Sequence, residues 1–328
     1  MNNQTMLVPL QQPIVFEIEG FDILPGSGPF FFLLALLVYM LVLLGNGVVA
    51  CTLSDPRLTS PMYFFLQNLS FVDLVYTTTT IPNMLAGFLM DQLTISIPGC
   101  FLQMFFFTQL AVTGRAILTV MAYDRYLAVC NPLRYTAIMT RSVRMLLVTG
   151  AWGFGLLCTL PPTVLAFLRP YCGPNMVRHS WCDLSSVRTL ACADTSIDNV
   201  LSLSFAMVAL LTTGVLILTS YFLIATSMYQ MGVPERLKAF STCAAHLTVV
   251  SISYSAASFV YISYRNCVSE DFFSQIVRII VSVLYSALTP FLNPMIYSLR
   301  NKELRIAIRK TLASFRPAAT STVKAIST

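Results

Sequence analysis

The chain has 328 residues, of which 56% are hydrophobic and only 10% are charged. Soluble globular domains carry about 25% charged residues, so this composition excludes an ordinary water-soluble domain and favours an integral membrane protein. The net charge is +6, but the placement of the basic residues along the chain argues against nucleic acid as a partner.

Apolar runs of about 20 residues recur along the chain, and each is long enough to cross a hydrocarbon layer about 30 Å thick as a helix. Helix breakers separate these runs, for example SDPRLTSP at 54–61 and NPLRY at 131–135. The predicted fold class is therefore an all-α, seven-transmembrane helix bundle. We predict its helices at about residues 28–52, 62–84, 98–130, 144–167, 198–227, 237–263 and 273–297.

Charge predicts the orientation of the bundle. Residues 1–27 contain no Lys or Arg, whereas seven basic residues follow residue 299. Basic residues collect on the cytoplasmic side, so we expect an outer N-terminus at 1–27, a membrane domain at 28–299 and a cytoplasmic segment at 300–328. Within that last segment, RNKELRIAIRK predicts a short amphipathic helix on membrane lipid. Residues 1–27 lack the features of a cleavable signal peptide, so we expect the first span to direct insertion.

Polar and helix-breaking residues inside the spans point to function, because each is costly in lipid unless it faces the bundle interior. Asp73 lies in the middle of the second span, Asn46 lies in the first, and Pro294 interrupts the last. Asp124 and Arg125 end the third span. No internal repeat is visible, which weighs against transporters built from inverted halves.

Four long segments carry a resemblance to a known family. PMYFFLQNLSFVDL (61–74), MAYDRYLAVCNPLRY (121–135), KAFSTCAAHLTVV (238–250) and TPFLNPMIYSLRNKEL (289–304) resemble the signature segments of vertebrate odorant receptors, which are rhodopsin-like G-protein-coupled receptors. The match runs from about residue 45 to 304, with the motifs in order. LSFVD and MAYDRY are more similar to the tetrapod-enriched, airborne-odorant branch than to the fish-like branch.

The resemblance implies a function. A small, mostly hydrophobic volatile would bind in the outer half of the bundle and shift it to an active state. That state would couple to the olfactory stimulatory G protein and raise cyclic AMP. The expected location is the plasma membrane of olfactory sensory cilia, with export chaperones as further partners and with no cofactor.

Other classes of function agree less well with these features. A non-olfactory chemoreceptor for a small metabolite would use the same fold. A transporter or channel needs several membrane charges, and only Asp73 and Arg115 lie deep. An enzyme is weaker still, because HExxH and GxSxG are absent and the chain has only two histidines.

The resemblance also assigns a cytoplasmic switch. Arg125 is held near Asp124 when the receptor is off and is released to meet the G protein when the sixth span swings outward. The alternative is a simple interfacial anchor with a snorkelling arginine. The other residues assigned to coupling and switching are Tyr126, Tyr221, Lys238, His246, Asn293, Pro294 and Tyr297.

The chain has nine cysteines. The resemblance implies the disulfides Cys100–Cys182 and Cys172–Cys192, which would tie a long outer loop down as a lid, with Cys267 left free. The alternative is free thiols. A metal site at His179 is not expected, because Cys182 would have no thiolate to offer.

The sequon at Asn3 predicts glycosylation, whereas the one at Asn68 lies in the membrane and is a chance match.

The expected ligand pocket is apolar and aromatic with scattered hydroxyls. Such a lining favours a small hydrophobic molecule held by one or two hydrogen bonds. Phe107 occupies the position where amine receptors keep an aspartate, which argues against a biogenic amine. The predicted lining residues are Phe107, Thr108, Ala111, Val112, Phe205, Ala209, Tyr254, Ala257, Ser258, Tyr261, Ser282 and Ser286.

Arg115 departs from the family pattern. Family members usually carry Glu one position earlier, where this chain has Gly114, and that acid forms a sodium-binding pair with the residue equivalent to Asp73. We hypothesise that Arg115 helps to neutralise Asp73 in place of sodium. The alternative is that Arg115 faces another helix and pairs with carbonyl groups or water.

Overall fold

The structure is a computed structural model that describes residues 15–19, 28–56, 58–90, 93–172, 175–266 and 272–314. Along the two helices near the C-terminal end, the backbone alone is described at 238, 242, 256, 259–266, 272–282, 285, 299 and 300. The predicted site residues Asn3 and Cys267 lie outside the described residues, as do the side chains of Lys238, Tyr261 and Ser282.

Seven long helices of 26 to 34 residues form the body of the described chain. Three shorter helices accompany them. In chain order the helices are α1 (Gly28–Leu53), α2 (Pro61–Leu89), α3 (Ile97–Cys130), α4 (Tyr135–Ile138), α5 (Arg141–Phe167), α6 (Leu184–Arg188), α7 (Ser196–Tyr229), α8 (Val233–Asn266), α9 (Phe272–Arg300) and α10 (Lys302–Ser314).

The seven long helices coincide with the seven predicted spans to within a few residues, which confirms the predicted fold class. Among the described residues, α1, α3, α5 and α7 are long and apolar enough to cross a membrane by length and composition. Their outer faces expose large apolar side chains such as Phe30, Leu218 and Phe222. Lipid, rather than water, suits such a surface.

The helix ends follow from local chemistry. Ser96 caps α3, where its hydroxyl accepts a hydrogen bond from the backbone N–H of Gly99 at 3.2 Å, and Thr140 caps α5 through Val143 at 3.4 Å. Pro61 begins α2, where a missing N–H costs nothing. Asn301 caps α10 by accepting from Leu304 N at 3.1 Å. The breakers in the sequence therefore fall where the chain turns.

The helix α3 lies at the centre of the bundle and contacts α2, α5, α7 and α8. Its residues Ile117 and Met121 are fully buried in the main apolar core, together with Phe65 of α2. Leu304 anchors α10 to this same core, where it is fully buried. The central position of α3 places one helix in contact with both ends of the molecule.

A small β-sheet, which the sequence did not predict, lies at the end of the bundle where α3 begins, the end that the charge pattern predicts to be the outer one. The strands β1 (Val15–Ile18), β2 (Leu93–Ser96) and β3 (Met176–Val177) have the order β2-β1-β3. The first pair is antiparallel and the second is parallel. Each strand is only two to four residues long, and its partner lies far away in sequence, so no local pattern marked it. The sheet is an addition to the otherwise helical class.

Candidate functional site

Two disulfides hold the long outer loop over the bundle, as the resemblance implied. Cys100 at the start of α3 is bonded to Cys182, with 5.4 Å between their Cα atoms. Cys172 is bonded to Cys192 within the loop, at 5.8 Å. Gln103 reinforces the first link by accepting from the backbone N–H of Cys182 at 3.1 Å. The side-chain amide nitrogen of Gln103 donates to the carbonyl of Thr79 at 2.8 Å. The Gln103 side chain therefore connects the loop, α3 and α2.

A second apolar core lies beneath the sheet. Phe16 of β1 is fully buried and meets the ring of Tyr171 edge to face, with 5.5 Å between centroids. The Tyr171 hydroxyl donates to the carbonyl of Ala166 at 2.7 Å. Burial raises the pKa of Tyr171 to about 12, so the phenol stays neutral. The lid is therefore a packed unit that includes the chain's N-terminal strand.

A cavity of about 490 Å³ lies below the lid between α3, α5, α7 and α8. Seven of the predicted pocket residues line it: Phe107, Thr108, Ala111, Val112, Phe205, Ala209 and Ala257. Tyr254, Ser258 and Ser286 are not among the described residues that line it. Instead, the Tyr254 hydroxyl donates to Thr213 Oγ1 at 2.6 Å, and the Ser286 hydroxyl donates to the carbonyl of Val283 at 2.9 Å.

The sequence reading missed several residues of this cavity. They come from α5, from the loop and from the outer turns of α7: Cys158, Thr159, Pro162, Asp183, Leu184, Ser185, Arg188, Asn199, Ser202 and Leu203. The short helix α6 carries Arg188 to the cavity and was not predicted. No signal in the sequence distinguishes Arg188 from Arg169 and Arg178, the other basic residues of the same loop.

A small polar cavity of about 40 Å³ lies deeper in the bundle, lined in part by Asp73, Arg115 and Asn293. Asn293 Nδ2 donates to the Asp73 carboxylate at 2.7 Å. Among the described side chains, Asp73 has no ion pair with Arg115. Both side chains line the same small cavity, so the hypothesis that Arg115 helps to neutralise Asp73 stays a prediction.

The rotation of α3 explains why Arg115 and Asp73 form no ion pair. A Cβ on Gly114 would lie 3.6 Å from Val72 of α2, so Gly114 faces the helix that carries Asp73. Residue 115 lies about 100° further around α3, where Arg115 also lines the large cavity.

Asn46 of α1 supplies a hydrogen bond that the backbone of α9 cannot form. Pro294 has no N–H, so the carbonyl of Pro290, four residues earlier, loses its helical donor. Asn46 Nδ2 donates to that carbonyl at 2.9 Å. The predicted buried polar residue thus has a structural partner 244 residues away in the chain.

The predicted ion pair lies at the inner end of α3. Arg125 Nη2 is 2.7 Å from Asp124 Oδ2, and Asp124 is fully buried. Tyr135 of α4 donates its hydroxyl to the other carboxylate oxygen of Asp124 at 2.7 Å. Burial first, and the Asp124 charge second, raise the pKa of Tyr135, so it remains a neutral donor. Sequence reasoning missed this third member, although Tyr135 lies within the quoted motif.

A second polar contact joins α3, α7 and α8 nearby. The Tyr221 hydroxyl lies 2.7 Å from His246 Nδ1, and His246 Nε2 lies 2.9 Å from the carbonyl of Leu118. A carbonyl only accepts, so Nε2 carries the proton and Nδ1 accepts from the tyrosine. Tyr297 is buried in the main core, and Tyr126 packs against that core.

These features together describe a receptor that crosses the membrane several times. The arrangement has a covered cavity at one end of α3 and a buried acid–base pair at the other, which is the organisation of a G-protein-coupled receptor.

Comparison with known proteins resolves the family. The family model described as "Olfactory receptor" matches residues 35–314. Mouse olfactory receptor 5G25 is 44% identical over 282 residues, covering 85% of this chain and 87% of its own. Human olfactory receptor 6N1 is 43% identical, covering 90% and 94%, and human olfactory receptor 13C9 is 40% identical, covering 94% and 96%. The chain belongs to the olfactory receptor family, whose members are receptors rather than enzymes.

Proposed function

We propose that this receptor binds a small, mostly hydrophobic volatile in the cavity beneath the lid and couples to the olfactory stimulatory G protein, raising cyclic AMP. The observation that carries the proposal is the cavity itself. Its volume of about 490 Å³ lies within the range of small-molecule sites, about 300–1,000 Å³. Phe107, Val112 and Ala209 give it an apolar wall.

The connection between ligand and G protein runs along α3. The cavity contacts Phe107 to Arg115 on its outer half, and Asp124 and Arg125 lie at its inner end. A ligand shifts the bundle only by binding the active state more tightly than the inactive state. Because the Asp124–Arg125 pair lies near the membrane edge, its opening has a moderate cost and can follow such a shift.

Finer assignments belong to the same proposal. The N-terminus lies outside the cell, Asn3 carries a glycan, and the protein resides in the plasma membrane of olfactory cilia. Membership of the tetrapod-enriched branch is supported by the LSFVD and MAYDRY segments. Export chaperones are further partners. A metabolite receptor outside the nose would use the same site, and the tissue of expression separates the two.

The test is a cyclic-AMP assay in cells that carry the olfactory stimulatory G protein, screened with a diverse volatile panel. We expect at least one volatile to raise cyclic AMP, and we expect Arg125→Ala to abolish that response at equal surface level. Arg141→Ala, an exposed residue at the start of α5, is the control for loss of a cytoplasmic positive charge and should respond. Intact coupling in the Arg125 variant would overturn the proposal. A ligand-evoked current without G protein would favour a channel instead.

A further inference from the structure

Arg188 is a buried cation at the outer end of the cavity. It ends α6 and lines the cavity, yet only 7% of its surface is exposed. Its Nη1 donates to Asn199 Oδ1 at 2.5 Å. Its Nε and Nη2 atoms are fully covered and have no hydrogen-bond partner among the described residues. Covered donors without acceptors are costly, so this guanidinium has unused capacity to bind an acceptor.

The neighbouring carboxylates are engaged elsewhere. Asp198 forms a two-pronged pair with Arg169, with both N–O distances at 2.7 Å. Asp183 caps α6, where Oδ2 accepts from the backbone of Ser185 at 3.1 Å and from that residue's hydroxyl. Among the described side chains, no carboxylate oxygen lies within 4.0 Å of Arg188.

The charge of Arg188 is nevertheless maintained. Burial lowers the pKa of Arg188, and the fields of Asp198 and Asp183 oppose that shift. Arginine is protonated at any physiological pH. The cavity therefore has the permanent positive charge of Arg188 at one end, beside the carboxylate of Asp183, which accepts from the backbone of Ser185, and an apolar wall below them.

We propose that Arg188 binds the carboxylate of an organic-acid ligand, whose apolar part lies along Phe107, Val112 and Ala209. This rests on the proposed function, since it takes the cavity as the ligand site and names the ligand class. A carboxylate offers two oxygens to the planar fork of arginine and forms short, charge-assisted hydrogen bonds with it. Because Nε and Nη2 are covered, the guanidinium of Arg188 must turn toward the cavity before these atoms can donate to a ligand. This turn breaks the hydrogen bond from Nη1 to Asn199 or makes Asn199 share that donor with the ligand.

An aliphatic or aromatic monoacid fits this cavity better than a phosphate ester. A phosphate monoester carries up to two negative charges, and desolvating the second charge against an apolar wall has no compensation at Arg188. Arg115 is a second cation on the same cavity, deeper along α3, and is the competing site for the carboxylate.

The experiment compares carboxylic acids with their methyl esters at equal chain length, on the wild-type receptor and on Arg188→Gln, Arg188→Lys and Arg115→Gln. Arg178→Gln is the matched control, because Arg178 belongs to the same loop but is exposed and is not among the residues that line the cavity. Cyclic AMP is the readout, normalised to surface receptor. We expect acids to act at lower concentration than their esters on the wild type.

Arg188→Gln should raise the half-maximal concentration of acids about tenfold or more, as expected for loss of a charged hydrogen bond. It should raise the half-maximal concentration of esters much less than that of acids, while Arg188→Lys retains part of the preference for acids and Arg178→Gln retains all of it. A purely structural role would shift acids and esters equally, which would overturn the proposal.

Two other results would also overturn it: a panel in which no acid is active, or an acid response lost in Arg115→Gln and retained in Arg188→Gln. In each of these cases an Arg125-dependent response to neutral volatiles would leave the proposed function intact. If neither an acid nor a neutral volatile raised cyclic AMP in a way that depends on Arg125, both the carboxylate proposal and the proposed function would fail.

Discussion

The carboxylate of Asp124 has two partners, and each helps to hold it in the position seen in the structure. Arg125 contacts one oxygen and Tyr135 donates to the other, both at 2.7 Å. The tyrosine begins α4, the short helix that follows α3, so it links the ion pair to the chain beyond the third long helix. This link supports an interpretation of the pair as a switch rather than a simple anchor.

Tyr135→Phe removes one hydrogen bond to a buried carboxylate and little else. A hydrogen bond to a charged group contributes about 1.5–3 kcal/mol, so we expect the resting state to weaken and basal cyclic AMP to rise severalfold. The measurement is ligand-free cyclic AMP at matched surface expression. Tyr123→Phe is the control, since Tyr123 lies one position before Asp124 and is exposed. Basal signalling equal to wild type in both variants would show that Tyr135 does not hold the switch.

Close packing of α3 on α5 depends on one glycine. A Cβ added to Gly155 would overlap Thr113 Oγ1 and lie 3.0 Å from Gln109 Nε2. These two polar side chains are held in place by bonds across the interface, including Thr159 Oγ1 to Gln109 Oε1 at 2.8 Å. The helices cannot accommodate a methyl group there without separating.

Gly155→Ala should therefore destabilise the receptor by about 1–3 kcal/mol, the usual cost of overpacking. Gly153→Ala provides the control on the same helix, because a Cβ there meets nothing within 4 Å. Alanine is favoured over glycine in a helix by up to about 1 kcal/mol, so this variant should be neutral or slightly more stable. Thermal unfolding of the purified receptor in detergent measures both. Similar melting temperatures for the two variants would refute the packing argument.

At the scale of the whole molecule, the N-terminal strand holds the lid together. Phe16 is fully buried against Tyr171, whereas Val15 on the opposite face of β1 is 36% exposed. Removal of a buried phenylalanine costs about 3–5 kcal/mol. We therefore expect Phe16→Ala to lower the thermal stability and the surface level of the receptor, and Val15→Ala to have little effect.

The measurement is surface staining of an N-terminal tag together with thermal unfolding of purified protein. Equal loss in both variants would mean that the strand acts through its backbone pairing alone. No loss in either would mean that the lid folds without β1.

The long helices could be predicted because their signal is local. Apolar runs set their existence, and prolines and capping residues such as Ser96 and Thr140 set their ends. The lining of the cavity was only partly predictable. Helical spacing from Arg125 placed four residues of α3, from Phe107 to Val112, on the cavity. Tyr254 on α8 was misplaced, since its orientation depends on a partner, Thr213, on another helix.

The remaining features depend on contacts between distant parts of the chain. The strand β1 pairs with residues about 80 and 160 positions away, as in Glu17 with Thr94 and with Met176, and no local pattern encodes such a pairing. Arg188 reaches the cavity only because a disulfide-tied loop folds back over the bundle. Sequence thus located the Asp124–Arg125 pair but not its contact with Tyr135, and part of the cavity wall but not Arg188.

The bond from Asn46 to the Pro290 carbonyl has a consequence for motion. A proline bend in a membrane helix normally leaves an oxygen facing hydrocarbon, and any flexing of the bend would add to that penalty. Here the first helix supplies the missing donor, so movement of the seventh long helix away from the first would break that bond and uncover the carbonyl. We therefore expect these two helices to keep their relative position during signalling and the larger displacement to occur in other helices.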